Sequence, residues 1–109
     1  MTNETNLPAQ HSSKMQLAKM LKAMGHPVRL RIVEEIAKRQ SCCCGEMCDC
    51  FPLSQSTVSQ HLSVLKKAGI VEVEQKGTSS RYSLDPDALN ALRNELSDLV
   101  DIAGCCCND

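Results

Sequence analysis

The segment 52–69 constrains the fold more than any other part of the chain. Ser54 is typical of a helix start, because its hydroxyl can accept from a free backbone N–H, and Gly69 is typical of the position just past a helix end. The apolar residues between them recur at helical spacing, at Val58, Leu62 and Leu65. The β-branched stretch 70–74 follows without a linker. The segment therefore predicts a helix with one buried face that leads directly into a strand.

Apolar spacing and helix breakers divide the N-terminal half of the chain. Helical spacing predicts a first helix over 14–24, and Pro27 is placed to begin a second helix that ends near Arg39. Residues 41–44 are too short for a helix, and we expect a loop or a short strand there. Residues 45–50 are expected to form a short helix, which the following proline stops.

The C-terminal half predicts a hairpin followed by a long helix. A turn at 76–79 joins the stretch 70–74 to a second strand at 81–84, and Pro86 begins the last helix. This order of elements is typical of a winged helix-turn-helix, a mainly α fold with a small β-hairpin wing. The predicted organisation is a flexible arm, one winged helix-turn-helix domain and a cysteine-rich tail, over residues 1–13, 14–104 and 105–109.

The last helix carries a regular apolar stripe, at Leu89, Leu92, Leu96 and Leu99. Such a stripe can pack on its own domain or against another helix, and its strict three-and-four alternation favours a helix–helix contact. A chain of 109 residues also buries little surface by itself. We therefore predict a homodimer that forms through the last helix.

Eight cysteines are grouped into two clusters rather than spread along the chain. Five of them lie within 42–50, and three form the run 105–107. The polar N-terminus does not resemble a signal peptide and no segment is apolar enough to span a membrane, so we expect a cytoplasmic protein without a membrane partner. In a reducing compartment, such clusters indicate metal ligands or redox-active thiols more than a disulfide framework.

The net charge of −1 hides an uneven distribution of charged residues. Residues 1–41 carry seven Lys or Arg against three acids, and residues 54–84 carry four against two. From residue 85 onward there are six acids and one base. A basic body with an acidic tail can present a positive face to phosphates, so the overall charge does not exclude a nucleic-acid partner. The sequence contains no nucleophile–base pair or phosphate-binding loop, and we do not expect an enzyme.

The exposed face of the helix within 52–69 has an unusual composition. It carries short or planar hydrogen-bonding side chains near the helix N-terminus, at Gln55, Ser56, Thr57, Ser59, Gln60 and His61. A merely solvated face would normally hold Lys and Glu, which favour helix more than Ser and Thr do. These side chains suit base edges in a major groove, so we predict a recognition helix for double-stranded DNA. Phosphate contacts are predicted for nearby cationic side chains, at Lys66, Lys67, Lys76 and Arg81.

Four motifs resemble those of the ArsR/SmtB family of bacterial metal-responsive repressors, most of all its arsenic-responsive members. The motifs are GHPVRLRI at 25–32, LSQSTVSQHL at 53–62, LKKAGIV at 65–71 and KGTSSRY at 76–82. The resemblance extends over residues 15–103, nearly the whole predicted domain. It implies a homodimer built on the first and last helices. This dimer is expected to bind an inverted repeat of operator DNA until an inducer, As(III) or a related thiophilic ion, releases it. No organic cofactor is implied.

The resemblance also points to a candidate inducer site before the recognition helix. Arsenic-responsive members carry a Cys-x-Cys-x-x-Cys run there, and gap-free counting places its outer cysteines on Cys43 and Cys48. A glycine occupies the middle position, so Cys44 or Cys42 is the candidate replacement. A second register, which uses Cys48 and Cys50, requires a deletion before the recognition helix.

A second candidate inducer site is the C-terminal run, which lies where some members of the family place ligands. Trivalent arsenic and antimony take three sulfur ligands, whereas Zn(II) and Cd(II) usually take four. The candidate metal ligands are therefore Cys43, Cys44, Cys48, Cys105, Cys106 and Cys107. A thiol redox switch and a response to Cd, Zn or Pb remain open alternatives. A metal-storage protein would have no use for a recognition helix.

Overall fold

The computed structural model describes residues 9–107, and side chains are described over residues 14–104. The elements in that range are five helices and three strands in the predicted order. They are α1 (Ala9–Met24), α2 (Pro27–Arg39), β1 (Cys42–Cys43), α3 (Cys44–Cys50), α4 (Gln55–Lys67), β2 (Val71–Lys76), β3 (Ser79–Leu84) and α5 (Pro86–Cys107). The fold is mainly helical with a small antiparallel sheet, as the sequence predicts.

Two helices are longer than the sequence indicates. Helix α1 begins at Ala9, before the predicted start at Lys14, and α5 continues to Cys107. The spacing of apolar residues marks only the stretch that packs on a core, and polar residues can extend a helix beyond it. The segments 9–13 and 105–107 therefore continue the end helices.

The sheet joins the wing to the first cysteine cluster. Strand β3 pairs with β2 from Val71↔Leu84 to Lys76↔Ser79, which is the predicted hairpin. On its other edge β3 pairs antiparallel with β1, so the strand order is β1-β3-β2. The sequence leaves open whether 41–44 forms a strand, because two residues are too few for a periodicity. Pairing with β3 decides the conformation of that segment.

Local signals explain where helices α2 and α4 begin and end. The Ser54 hydroxyl accepts from the Thr57 amide at 3.2 Å, as expected for the residue before α4. Gly69 has φ +84°, a conformation that favours glycine, and it ends the helix where the sequence predicts. The His26 side chain caps α2, because its Nδ1 accepts from the Val28 amide at 3.1 Å.

The core is aliphatic and lies between the helices and the sheet. The predicted buried face of α4 is confirmed, since none of its three apolar residues is exposed. The largest fully buried side chains are Met20, Ile32, Ile36, Met47, Val58, Leu62, Leu65 and Ile70. Each such side chain contributes about 1.5–3 kcal/mol through its removal from water. This core fixes α4 against α2 and the sheet.

The apolar stripe of α5 is divided between two environments. Leu92 is buried in the core, and Leu89 and Leu96 are half-buried against it. Further along the helix Leu99 is 56% exposed and Ile102 is 65% exposed. The N-terminal half of α5 therefore packs on its own domain, and the C-terminal half is uncovered within one subunit. No helix in the described range is long and apolar enough to cross a membrane.

Candidate DNA interface and cysteine cluster

Helix α4 presents the polar face that the sequence singles out. The side chains of Gln55, Ser56, Ser59 and Gln60 are exposed on the side away from the buried apolar residues. All four lie in the first two turns, next to backbone N–H groups that have no partner within the helix. This geometry offers both donors and acceptors to a base edge or a phosphate.

Thr57 belongs to the cap of α4 as well as to its surface. Its side chain is half-buried, and its hydroxyl lies 2.9 Å from the Ser54 hydroxyl. The Ser56 hydroxyl lies 3.2 Å from that same oxygen. Three hydroxyls therefore form one hydrogen-bonded group at the start of α4. They hold the first turn in place beside the exposed glutamines.

His61 lies on the flank of α4 that faces α2. Arg29 Nε donates to His61 Nδ1 at 3.2 Å, and the His61 ring is 4.6 Å from the ring of His26, centroid to centroid. Burial lowers the pKa of His61, and the neighbouring His26 and Arg29 lower it further. The sequence suggested a base contact here, but the imidazole is already bonded within its own subunit.

The wing carries two of the predicted phosphate contacts in different settings. Lys76 is exposed and lies 4.0 Å from the Glu74 carboxylate, a weak surface pair. Arg81 instead points to the first cysteine cluster. Its guanidinium donates to the Ser41 hydroxyl at 3.2 Å, to the Ser41 carbonyl at 3.1 Å and to Glu46 at 3.4 Å. Arg81 therefore ties the wing to the start of α3.

Two cysteines of α3 form a thiol pair beside the recognition helix. Cys44 and Cys48 lie one turn apart on α3, so their side chains are neighbours on the same face of the helix. Cys44 Sγ also lies 3.8 Å from the backbone carbonyl of Gln55, the first residue of α4. Burial raises the pKa of Cys44, and the neighbouring Cys48 raises it further. We refer to Cys44 and Cys48 as the α3 thiol pair.

An open cavity of about 380 Å³ separates α4 from the wing. We call it the wing cavity; its lining includes Cys43, Cys44, Gly45, Gln55, Ser59, Ser80 and Tyr82. Cysteines, the recognition helix and the wing meet in this space. A change at the cysteines is therefore a change at the edge of the exposed polar face of α4.

The other two cysteines of the first cluster have different surroundings. Cys42 is buried, and burial raises the pKa of its thiol. Cys50 Sγ accepts from Arg39 Nη2 at 3.5 Å and lies 3.7 Å from the Glu35 carboxylate. The sequence cannot reveal these partners, because α2 and α3 meet only in the folded chain. The cluster is thus divided between the two sides of α3.

Glu46 is a functional candidate that sequence reasoning missed. Its carboxylate accepts from the Cys43 amide at 3.0 Å and from Arg81. The backbone contact and the positive charge of Arg81 lower the pKa of this carboxyl. Its place three residues after Cys43 matches the spacing of a helix capping box, which is a signal that the sequence does contain.

The described cysteines do not form a complete metal site. Among residues 14–104 no three His, Cys, Asp or Glu side chains are grouped closely enough to hold one metal ion. The α3 thiol pair brings two of the predicted ligands together, and Cys43 lies beside them in sequence. The candidate ligands at 105–107 lie outside the residues whose side chains are described.

Comparison with known proteins identifies the family. A family model for a helix-turn-helix domain matches residues 24–74. An HTH-type transcriptional regulator of Methanocaldococcus jannaschii is 38% identical over 84 residues, which are 77% of this chain and 90% of that protein. The arsenical resistance operon repressor of Bacillus subtilis is 35% identical over 74 residues, 68% of this chain and 70% of that repressor. The chain belongs to the ArsR/SmtB family of transcriptional regulators.

Solved structures agree with the fold of this ArsR/SmtB-family regulator. The crystal structure of a possible transcriptional regulator for arsenical resistance has a TM-score of 0.68 and 32% identity, and the match covers 74% of this chain and 83% of that one. An ArsR-like transcriptional regulator from Rhodococcus sp. RHA1 has a TM-score of 0.75 at 22% identity, over 85% of this chain and 87% of that one. The predicted DNA-binding winged helix-turn-helix regulator is thereby confirmed.

Proposed function

We propose that this ArsR/SmtB-family regulator is a repressor that leaves its operator when a thiophilic metal or metalloid, As(III) or Sb(III) above others, binds its cysteines. The observation that carries the proposal is the position of the Cys44 thiol, 3.8 Å from the carbonyl of Gln55. A thiol that gives up its proton on binding can no longer donate to that carbonyl. The first turn of the recognition helix therefore responds directly to the state of the cysteine.

The chemistry of the α3 thiol pair favours a trivalent metalloid. Arsenous acid exchanges its three hydroxyl groups for three thiols and releases three water molecules, so neutral thiols are suitable partners. Cys44 and Cys48 supply two adjacent sulfurs, and Cys43 is the proposed third. Because these three are not grouped in the described structure, binding requires a local movement at the start of α3. That movement is the proposed signal.

The wing receives the same signal through β1 and Glu46. Cys43 pairs with Arg81 across the β1–β3 ladder, and Glu46 bonds both residues. A movement of Cys43 therefore disturbs the contact between the cysteine cluster and the wing. Coupling between an effector site and a ligand site usually amounts to about 1–3 kcal/mol. Loss of a few hydrogen bonds such as those made by Glu46 changes the free energy by a similar amount.

For DNA contacts we assign base reading to the exposed residues Gln55, Ser56, Ser59 and Gln60. Lys66 and Lys76 are the proposed phosphate contacts near this face. Thr57, His61 and Arg81 already have partners within the subunit, so we assign them a positioning role. Side chains that are held in place in this way orient the base-reading residues beside them.

The proposed assembly is a homodimer through α1 and α5 that spans an inverted repeat. The uncovered apolar side chains on these helices support it, namely Met15, Leu21, Leu99, Val100 and Ile102. Exposed apolar surface of this kind is typical of an interface. A two-fold dimer holds its two recognition helices about one helical turn apart on DNA.

The C-terminal run Cys105-Cys106-Cys107 is the proposed auxiliary site. It ends α5, so an ion bound there acts through the dimer helices and not directly through α4. Two triple variants separate the sites: Cys43/Cys44/Cys48→Ser and Cys105/Cys106/Cys107→Ser. Operator release is titrated with As(III), Sb(III), Cd(II) and Zn(II) under reductant. We expect the first variant to stay bound at As(III) concentrations that release the wild type. Normal release from both variants would contradict metal sensing by cysteine.

A thiol redox switch is the second candidate function, and the contact between Cys50 and Arg39 favours it. A sulfenate formed when a hydroperoxide oxidises this thiol would be held by the adjacent guanidinium through a charge-assisted hydrogen bond. Excess reductant distinguishes the two functions. Release by a hydroperoxide is prevented or reversed by reductant, whereas release by As(III) continues in its presence.

A further inference from the structure

A second cavity borders α4 on the side away from the wing. It has a volume of about 350 Å³ and lies between α1, α2 and α4. Four cationic side chains line it, at Lys19, Lys22, Arg29 and Lys67. Its other lining residues are apolar, and no acidic residue is among them. We call this space the basic cavity.

The lysines of the basic cavity have no anionic partner in the described part of the chain. Elsewhere Lys38 lies 3.8–3.9 Å from the carboxylates of Glu34 and Glu35, and Lys76 lies near Glu74. Within residues 14–104 no such pair is formed by Lys19, Lys22 or Lys67. Like charges around one space repel one another, so a bound anion would relieve the repulsion.

Arg29 is held at the edge of the basic cavity by the surrounding structure. Its Nη1 donates to the Ala23 carbonyl at 3.1 Å, and its Nε donates to His61 Nδ1 at 3.2 Å. These two bonds fix the plane of the guanidinium against α1 and α4. They also leave Nη2 with no hydrogen-bond partner among the described residues. A fixed guanidinium with a free nitrogen is a suitable donor to a phosphate oxygen.

The basic cavity is placed where a second phosphate backbone would run. Ser56, Gln60 and Lys67 lie on one exposed side of α4, so the cavity adjoins the proposed DNA-reading face. The wing cavity borders the other flank, through Gln55 and Ser59. A helix that enters a major groove has a phosphate backbone on each of its two flanks. The wing is near one backbone, and the basic cavity faces the other.

We propose that the basic cavity binds a backbone phosphate of the operator, through Lys19, Lys22 and Lys67 with Arg29 as a fixed donor. The inference rests on the proposed role of α4 as the helix that enters the major groove. It adds α1 and α2 to the DNA-contacting surface. Because a phosphate contact carries no sequence information, the site strengthens binding to all DNA.

The test measures affinity for operator and for random DNA at several salt concentrations, with Lys22→Ala and the Lys19/Lys22→Ala double variant. Each lost phosphate contact lowers the slope of log affinity against log salt by about 0.9. We expect the double variant to lower the slope by about that amount in each subunit and Lys22→Ala by part of it, with an equal loss of affinity for both DNAs. Lys22→Arg, which keeps the charge, should retain the slope of the wild type.

Lys14→Ala is the matched control, because Lys14 lies on α1 but does not line the cavity. It removes one charge and should leave the slope close to that of the wild type. An equal fall for Lys14→Ala and Lys22→Ala would overturn the site and leave only a general charge effect. An unchanged slope in the double variant would overturn it as well, as would inorganic phosphate that binds the free protein without competing with DNA.

Gln60→Ala, measured beside these variants, separates this inference from the proposed function. Loss of discrimination between operator and random DNA by Gln60→Ala supports α4 as the recognition helix. If that result is obtained and the lysine variants keep the wild-type slope, the phosphate site alone is wrong. If Gln60→Ala keeps full discrimination, the proposed base readout is wrong, whatever the lysines do.

Discussion

The wing cavity, on one flank of α4, is lined by thiols, hydroxyls and a tyrosine next to Gln55. The basic cavity, on the other flank, is lined by four cationic side chains and by Val64. The wing side contains groups that change state, because thiols bind soft ions and lose protons. The α1 side contains lysine and arginine side chains, which attract anions and are not ligands for soft ions. Under the proposed function, a signal enters α4 from the wing flank, and the α1 flank attracts DNA.

The flanks also differ in how firmly they are joined to the rest of the domain. On the wing side the cysteines are joined to the sheet by the two-residue strand β1 and by Glu46, which is partly exposed and bonds both Cys43 and Arg81. On the α1 side Arg29 is bonded to a backbone carbonyl and to His61, beside the packed core. A two-residue strand and partly exposed hydrogen bonds open more easily than a contact built on packed helices. This favours the wing flank as the responsive one.

Leu99→Asp is expected to have the largest effect, because both flanks act only when two recognition helices are held together. Leu99 is 56% exposed in the subunit, so a charge there should disturb the dimer and not the domain core. Loss of the second half-site should reduce operator affinity by about a factor of 10² or more. Sedimentation measures the loss of the dimer, and operator titration measures the loss of affinity. A variant that stays dimeric and binds normally would exclude this part of α5 from the interface.

Arg81→Ala tests whether the wing flank transmits the signal. Removal of the guanidinium breaks its bonds to Ser41 and Glu46. We expect As(III) to weaken operator binding about tenfold less than in the wild type, within the usual coupling range of about 1–3 kcal/mol. Lys76→Ala, on the same wing, should keep normal induction. If Arg81→Ala lowers only the salt slope and leaves induction unchanged, Arg81 is a phosphate contact and not a link.

Ser54→Ala removes the cap that both flanks share at the start of α4. The Ser54 hydroxyl accepts from the Thr57 amide and bonds the Thr57 hydroxyl. Its loss should lower the free energy of unfolding by about 1 kcal/mol. Denaturant titration measures the change, with Ser63→Ala on the exposed side of the same helix as the control. Equal stability of the two variants would show that the cap contributes little.

His61→Asn gives the smallest expected effect and tests the α1 flank. The pKa of His61 is lowered in the folded chain, mainly by burial, so folding favours the neutral imidazole. The stabilisation is therefore present above the unfolded pKa of about 6.5 and is lost as the pH falls below it. Asparagine keeps an acceptor for Arg29 but does not titrate. Unfolding curves from pH 8 to 5 should show a smaller loss of stability in His61→Asn than in the wild type. Identical pH profiles of stability for the variant and the wild type would show that His61 is not the source of the pH dependence.

The sequence predicts the parts of this molecule that depend on local signals. Ser54, Gly69 and the apolar spacing of α4 determine the recognition helix, and the hairpin follows from its β-branched residues and turn. The sequence does not show the contacts between segments that lie far apart along the chain. The strand at 42–43 exists because β3 lies beside it, and no periodicity of two residues can show that. The same reason hides the bond of Arg29 to His61, on which the proposed positioning role of the histidine rests.

The candidate site was predicted less completely than the fold. Sequence and family resemblance identified the cysteines that form the α3 thiol pair, but not their separation from Cys42 and Cys50. This separation depends on the direction in which each side chain points in the fold, which the sequence does not show. The basic cavity was missed because its cations come from three helices, far apart in sequence. Charge counts over long segments do not show which charges meet.

The central claim is that the Cys44 thiol controls the recognition helix, and Cys44→Ser compared with Cys50→Ser tests it most directly. Both changes replace one sulfur on α3, but only Cys44 lies against Gln55. Operator-bound protein is titrated with As(III) under reductant, and release is followed by fluorescence anisotropy of labelled operator. We expect Cys50→Ser to release DNA like the wild type and Cys44→Ser to remain bound. Release of Cys44→Ser at the wild-type As(III) concentration would contradict the claim.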